Sequence, residues 1–90
     1  MDMTTLGRTG LRVGVAGLGA GGHSRLGLGT GGTEAEAIAV IHAALDRGVN
    51  LIDTASVYGT EAVVGKALAG RRGGVVLATK TSVMRDGAPL

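Results

Sequence analysis

The sequence predicts an α/β fold: a small N-terminal hairpin, then strand, helix, strand, helix, strand, an alternation that argues for a parallel sheet with right-handed crossovers. Three observations carry this. Apolar runs of strand length at 15–20, 49–54 and 75–80 alternate with segments of helical period at 34–47 and 60–69. A capping box, Thr33-Glu-Ala-Glu36, opens the first helical segment, and Gly48 and Gly70 stand where the two helices must stop. The run Val75-Val-Leu-Ala-Thr79 is aliphatic at consecutive positions, as in a strand covered on both faces.

Taken in order, residues 3–14 hold short apolar positions broken by Gly7 and Gly10, which suits a hairpin. Val15-Ala-Gly-Leu-Gly-Ala20 reads as a short buried strand. The hexapeptide Gly-Leu-Gly-Ala-Gly-Gly at 17–22 is echoed by Gly-Leu-Gly-Thr-Gly-Gly at 27–32. Two copies are too few for a solenoid, and the second is read as loop. The first helix puts Ala37, Ile38, Ile41, Ala44 and Leu45 on one stripe. Val49 to Thr54 is strand-like, with apolar Val49, Leu51 and Ile52. Thr60 is placed to cap the second helix, whose buried face is Val63, Val64, Ala67 and Leu68.

Composition excludes several classes. Ninety residues make one small domain, which buries only about 60 % of its unfolded surface. The core must be aliphatic, because the chain has one Tyr and no Phe or Trp. Eighteen glycines without a Gly-X-Y period exclude collagen, and one proline with a hydrophobic balance argues against disorder. The net charge is +2, and the one tight basic pair, Arg71-Arg72, reads as a solvated turn rather than a nucleic-acid patch, since no aromatics interleave the basic residues. Without cysteine there is no disulfide and no thiolate metal site, and no metal is expected. With no signal-like opening and no long apolar run, the expectation is a soluble, cytoplasmic protein with no membrane partner.

In parallel α/β folds the ligand sits at the carboxyl ends of the strands. Asp53 lies near the end of the second of these parallel strands, Tyr58 in the loop after it, and Lys80 at the end of the third, so all three face one rim. Neighbouring strands stand about 5 Å apart, within reach of these side chains. A cationic Lys beside a phenol favours the phenolate, and a buried Asp paired with that Lys keeps the ammonium charged and aimed. Such a phenol suits a general acid for a developing alkoxide. Singly, each residue has an ordinary structural reading: a loop cap for Asp53, a half-buried aromatic for Tyr58, an exposed strand end for Lys80. The functional reading gains from the only aromatic of the chain falling between the other two.

These residues resemble the aldo-keto reductases over nearly the whole chain. Leu6-Gly-Arg-Thr-Gly-Leu-Arg-Val13 is similar to that family's opening hairpin, and Gly17-Leu-Gly-Ala20 to its first barrel strand. Ala43 to Ala55 with Val57-Tyr-Gly59 is similar to the stretch holding its Asp and Tyr. Val64-Gly-Lys-Ala-Leu68 and Val75-Val-Leu-Ala-Thr-Lys80 resemble the next helix and the Lys strand. The resemblance implies the N-terminal hairpin and first three β/α units of a (β/α)8 TIM barrel, truncated relative to a family of roughly 300 residues. It further implies reduction of a small-molecule carbonyl with NADPH, NADH being the alternative, with Tyr58 as proton donor tuned by Lys80 and Asp53. Gly19, Ala20 and Asp53 would lie at the nicotinamide end of the cofactor. The family's tetrad histidine, expected after a fourth strand, has no counterpart up to Leu90, and the 90-residue chain alone is expected to be inactive.

Neither histidine present replaces it. His42 falls mid-helix and reads as a surface or packing residue, and His23 as a solvated loop position. Two other functional readings stand beside the reductase. One is a Rossmann-like nucleotide-binding module using Gly17, Gly19 and Gly22, which requires a helix to begin near residue 22. The other is a non-catalytic interaction subunit.

Overall fold

Local pairing at the N-terminus needs only the two turn glycines. Strands β1 (Met3–Thr5) and β2 (Arg12–Gly14) run antiparallel, with Met3 opposite Gly14 and Thr5 opposite Arg12. In the computed structural model, which describes residues 1–81, 84–86 and 88–89, this hairpin is followed by a three-stranded parallel sheet. Its strands are β3 (Leu18–Gly19), β4 (Leu51–Asp53) and β5 (Val76–Ala78), in the order β3-β4-β5. Helices α1 (Glu34–Asp46) and α2 (Glu61–Leu68) make the two crossovers. A short antiparallel pair, β6 (Met84–Arg85) with β7 (Ala88–Pro89), follows and was not anticipated from the sequence.

Helix α1 starts as its sequence dictates: the Thr33 hydroxyl accepts from the Glu36 amide at 3.2 Å, and the Glu36 carboxylate accepts from the Thr33 amide at 3.0 Å. It ends where Gly48 turns left-handed at φ 94°, a conformation costly for any residue with a Cβ. The predicted faces of both helices are the buried ones. Ala37 and Ile41 from α1 meet Val63, Val64, Ala67 and Leu68 from α2 and Ile52 from β4, with Ala20 and Leu26 completing the core. Ile41 and Ile52 are fully buried, and cutting either to Ala should cost about 2–5 kcal/mol. Polar groups tie the helices together outside this core. Lys66 pairs with Glu34 at 2.8 Å, Arg71 with Asp46 at 2.7 Å, and His42 Nε2 donates to the Ala67 carbonyl at 2.7 Å, satisfying a helix-end acceptor that α2 leaves free.

Asn50 docks the hairpin on the sheet. Its carboxamide oxygen accepts from the Gly14 amide at 2.8 Å, while its nitrogen donates to the carbonyls of Arg12 and Gly74. Three expectations need correction. The strand at 15–20 is shorter, because the Val15 amide bonds to the Asp2 carbonyl and prolongs the hairpin, leaving Val15 largely exposed. β5 is not covered on both faces: it is an outer strand of the sheet among the described residues, and Leu77 and Ala78 are exposed. Thr60 precedes α2 but makes no side-chain cap, its hydroxyl being drawn into the core. Among the described residues no helix is long and apolar enough to cross a membrane.

Candidate active site

Strand register brings the predicted residues together. Asp53 on β4 is paired with Ala78 on β5, and the pairing continues beyond both strands: the Thr54 amide donates to Ala78 at 2.9 Å and the Ser56 amide to Lys80 at 2.9 Å. Lys80 lies two residues beyond Ala78, so by the two-residue period of an extended chain its side chain shares a face with that of Asp53. Lys80 Nζ donates to Asp53 Oδ1 at 2.6 Å and to the Thr54 carbonyl at 3.1 Å. A one-turn 3-10 helix, Ser56–Tyr58, then folds Tyr58 back so that Lys80 Nζ stands 5.4 Å from the centre of its ring. The three side chains predicted to converge do so.

Asp53 is the main reason that the Lys80 pKa lies above its ordinary 10.5, through the direct hydrogen bond; Tyr58 acts in the same direction more weakly, and desolvation opposes both. Asp53 is not buried, contrary to expectation. Asp53 and Lys80 keep about half of their side-chain surface, 47 % and 54 %. The Asp53 carboxylate therefore favours the charged ammonium in a site that stays open to water. Beside the pair is an open recess of about 140 Å³ lined by Ala55, Ser56, Val57, Tyr58, Lys80 and Thr81. A larger hollow, about 290 Å³, opens around Gly48, Asn50 and Gly74 at the opposite ends of the strands and holds no acid–base group arranged for chemistry.

Two supports of this rim escaped the sequence reading. The first is a buried hydroxyl pair: Thr60 Oγ1 donates to the Ala20 carbonyl at 3.1 Å and lies 2.8 Å from Thr54 Oγ1, linking the ends of β3 and β4. A threonine before a helix reads as a cap, and nothing local marks this one as a core tie. The second is the chain after β3. Gly21 lies directly against the Tyr58 ring, and Arg25 reaches the Tyr58 carbonyl at 3.5 Å.

The other candidates fall into place unevenly. Gly19 is exposed beside Asp53, its register partner. Ala20 is fully buried, its amide donating to Asp53 and its carbonyl accepting from Thr60, so it backs the rim rather than facing it. His23 is exposed in the loop. The Rossmann-like reading is overturned: after β3 the chain runs through turns and a 3-10 turn at Leu28–Thr30, and the next α-helix begins only at Glu34. Gly17, Gly19 and Gly22 therefore meet no helix N-terminus that could take a pyrophosphate. Among the described residues no group of three or more His, Asp or Glu could hold a metal ion.

Comparison with known proteins decides the family. The sequence pattern of the aldo/keto reductase family matches residues 16–89. The chain belongs to the aldo/keto reductase family. Aldo-keto reductase YhdN of Bacillus subtilis is 44 % identical over 92 % of this chain, and 6-dehydroglucose reductase of Novosphingobium aromaticivorans is 39 % identical over 60 % of it. The holo form of aldo-keto reductase AKR11C1 from Bacillus halodurans superposes over 96 % of the chain, with a TM-score of 0.77 and 36 % identity. This aldo/keto reductase chain spans about a quarter of the relatives' length: 26 % of the first, 22 % of the second and 28 % of the solved structure. Its hairpin, three parallel strands and two crossover helices are the start of the relatives' (β/α)8 barrel, and the family is one of oxidoreductases.

The rim fits the ring end of a nicotinamide cofactor. Nothing lies within 4 Å of where a Cβ on Gly19 would stand, and the neighbouring Asp53 carboxylate is half exposed, leaving an open shelf beside a polar acceptor.

Proposed function

We propose that Asp53, Tyr58 and Lys80 serve the reduction of a small-molecule aldehyde or ketone to an alcohol. One observation carries the reading: on neighbouring strand ends, a lysine held charged by an aspartate 2.6 Å away stands over the ring of the chain's only tyrosine. Family membership supports it. A bound NADPH, or NADH, would supply the hydride. Gly19 and Asp53, backed by Ala20, would lie against its nicotinamide end.

The chain's own part is the proton. As the carbonyl carbon accepts hydride, its oxygen takes the proton of the Tyr58 hydroxyl, and an alcohol leaves. The phenolate left behind is stabilised by the adjacent Lys80 ammonium, which Asp53 keeps charged and pointed. Tyr58 regains its proton from water through the open recess.

The 90-residue chain tested alone should neither bind NADPH tightly nor turn over, because a three-stranded sheet supplies one side of the ring pocket. Saturable, tight binding in a cofactor-fluorescence titration would overturn that statement. The mechanism is tested by grafting the chain in place of the matching part of the Bacillus subtilis relative and following NADPH consumption with short aldehydes and sugar-type ketones. Tyr58→Phe should lower turnover by roughly 10²- to 10⁴-fold. Unchanged turnover would remove Tyr58 from the mechanism and favour a non-catalytic role.

A further inference from the structure

We propose that Gly21 positions Tyr58, by leaving bare backbone on which the phenol ring lies. The inference rests on Tyr58 being the proton donor only for its functional meaning; the contact stands on geometry. A Cβ built on Gly21 would come within 2.7 Å of two ring carbons of Tyr58, Cε2 and Cζ, and within 2.9 Å of a third, Cε1. Those are the atoms around the hydroxyl, so the group that would move first is the reacting one. Gly21 is not in the left-handed backbone region, unlike Gly22 at φ 74°. Its lack of a side chain therefore answers a space requirement and not a backbone one.

The rest of the loop holds this seat in place. Leu26, buried in the core, anchors it from within, and Arg25 donates to the Tyr58 carbonyl at 3.5 Å from outside. Both Arg25 and Leu26 adopt left-handed backbone, at φ 45° and 62°, a conformation non-glycine residues keep only where packing enforces it. The ring is thus confined on one face by Gly21, with Lys80 Nζ 5.4 Å from its centre. A tyrosine pushed off Gly21 must leave that relation to Lys80. Gly21 acts through Tyr58 and touches no substrate in this account, which makes it a positioning residue.

The composition makes the test direct. With one Tyr and no Phe or Trp, the tyrosine band in near-ultraviolet circular dichroism and the aromatic ring protons in NMR report Tyr58 alone, His23 and His42 being separable by their own resonances. In the unsubstituted chain, Gly21 Hα protons should show nuclear Overhauser contacts to the Tyr58 ring and upfield shifts that vanish in Tyr58→Leu. In Gly21→Ala, the tyrosine band should fall by about half or more, as the ring spreads over other staggered rotamers, with the far-ultraviolet spectrum retained. Gly65→Ala is the control, since a Cβ there meets nothing within 4 Å, and the band should be unchanged. Absence of the Gly21–Tyr58 contacts in the unsubstituted chain overturns the proposal, and so does a folded Gly21→Ala variant with a full tyrosine band. Should Gly21→Ala fail to fold, the contacts in the unsubstituted chain decide alone. None of these readings uses turnover, so loss of the proton-donor mechanism and loss of the glycine seat give separate results.

Discussion

Thr60 and Thr54 share a buried hydroxyl–hydroxyl hydrogen bond of 2.8 Å beneath the candidate site. Thr60 spends its own proton on the Ala20 carbonyl, so Thr54 is the donor in the pair. Thr54 and Thr60 are almost fully excluded from water, at 2 % and 1 % exposure respectively. Thr60→Val keeps the shape and strands two polar groups, the Thr54 hydroxyl and the Ala20 carbonyl. The expected loss is about 1–3 kcal/mol in urea unfolding. Thr60→Ser keeps the hydroxyl and sacrifices one methyl, so it should cost less than Thr60→Val. The reverse order would mean that the methyl packing, not the hydroxyl tie, is what the core requires.

That tie also marks the limit of what the sequence discloses. Both helices were legible because burial follows helical period: Ala37 and Ile41, then Val63, Val64, Ala67 and Leu68, are where the stripe puts them. Asp53 and Lys80 were legible for a related reason, since parallel strands that end together bring their last side chains to one rim. Thr60 was misread because a hydroxyl at a helix start has two outlets, the local amides and the core, and tertiary packing chooses. Gly21 was invisible among 18 glycines, since only the Tyr58 ring distinguishes it from its neighbours. The expected burial of Asp53 and of β5 failed for separate reasons: Asp53 stands at the open ends of the strands, and β5 is an outer strand of the sheet among the described residues.

The Lys80–Asp53 pair predicts an alkaline signature. Because the Lys80 pKa is raised above 10.5 in the folded chain, the pair's stabilisation is complete below that value and is lost as pH climbs through the folded pKa. Asp53→Asn should therefore be less stable than its parent at neutral pH and should converge with it only at alkaline pH, once Lys80 loses its proton in the folded chain. Both proteins are compared on a Tyr58→Phe background, which takes the chain's phenol out of the titration. Since both partners are half exposed, added salt should shrink the neutral-pH gap. A gap that stayed constant through the lysine titration would mean that its source is something other than the charge on Lys80.

The opposite sign holds at the start of α1. Glu36 accepts hydrogen bonds from the Thr33 amide and hydroxyl, and the amide bond first of all pulls its pKa below the ordinary 4.5. Its contribution is thus present above 4.5 and is lost as pH falls through the lower, folded pKa. Glu36→Gln can keep a neutral version of the capping box but has no proton to gain. On acidification the parent should lose more unfolding free energy than the variant, read from urea midpoints at neutral and acid pH. Parallel acid losses in the two proteins would exclude the capping carboxylate as their source.

β5 carries the last prediction. It ends the three-stranded sheet, so half of its backbone donors and acceptors face outward without a strand partner among the described residues. Leu77, in its centre, is 38 % exposed, although its register partner Ile52 is fully buried one strand away. An apolar side chain on an open edge invites pairing with another chain, and a charge there blocks it. The 90-residue chain should therefore associate as its concentration rises, seen as a growing sedimentation coefficient, and Leu77→Lys should suppress that growth. Val40→Lys supplies the contrast: Val40 is 46 % exposed on α1, where the helix has already satisfied its own backbone. Equal suppression by both variants would point to general charge repulsion, whereas suppression by Leu77→Lys alone assigns the association to the β5 edge.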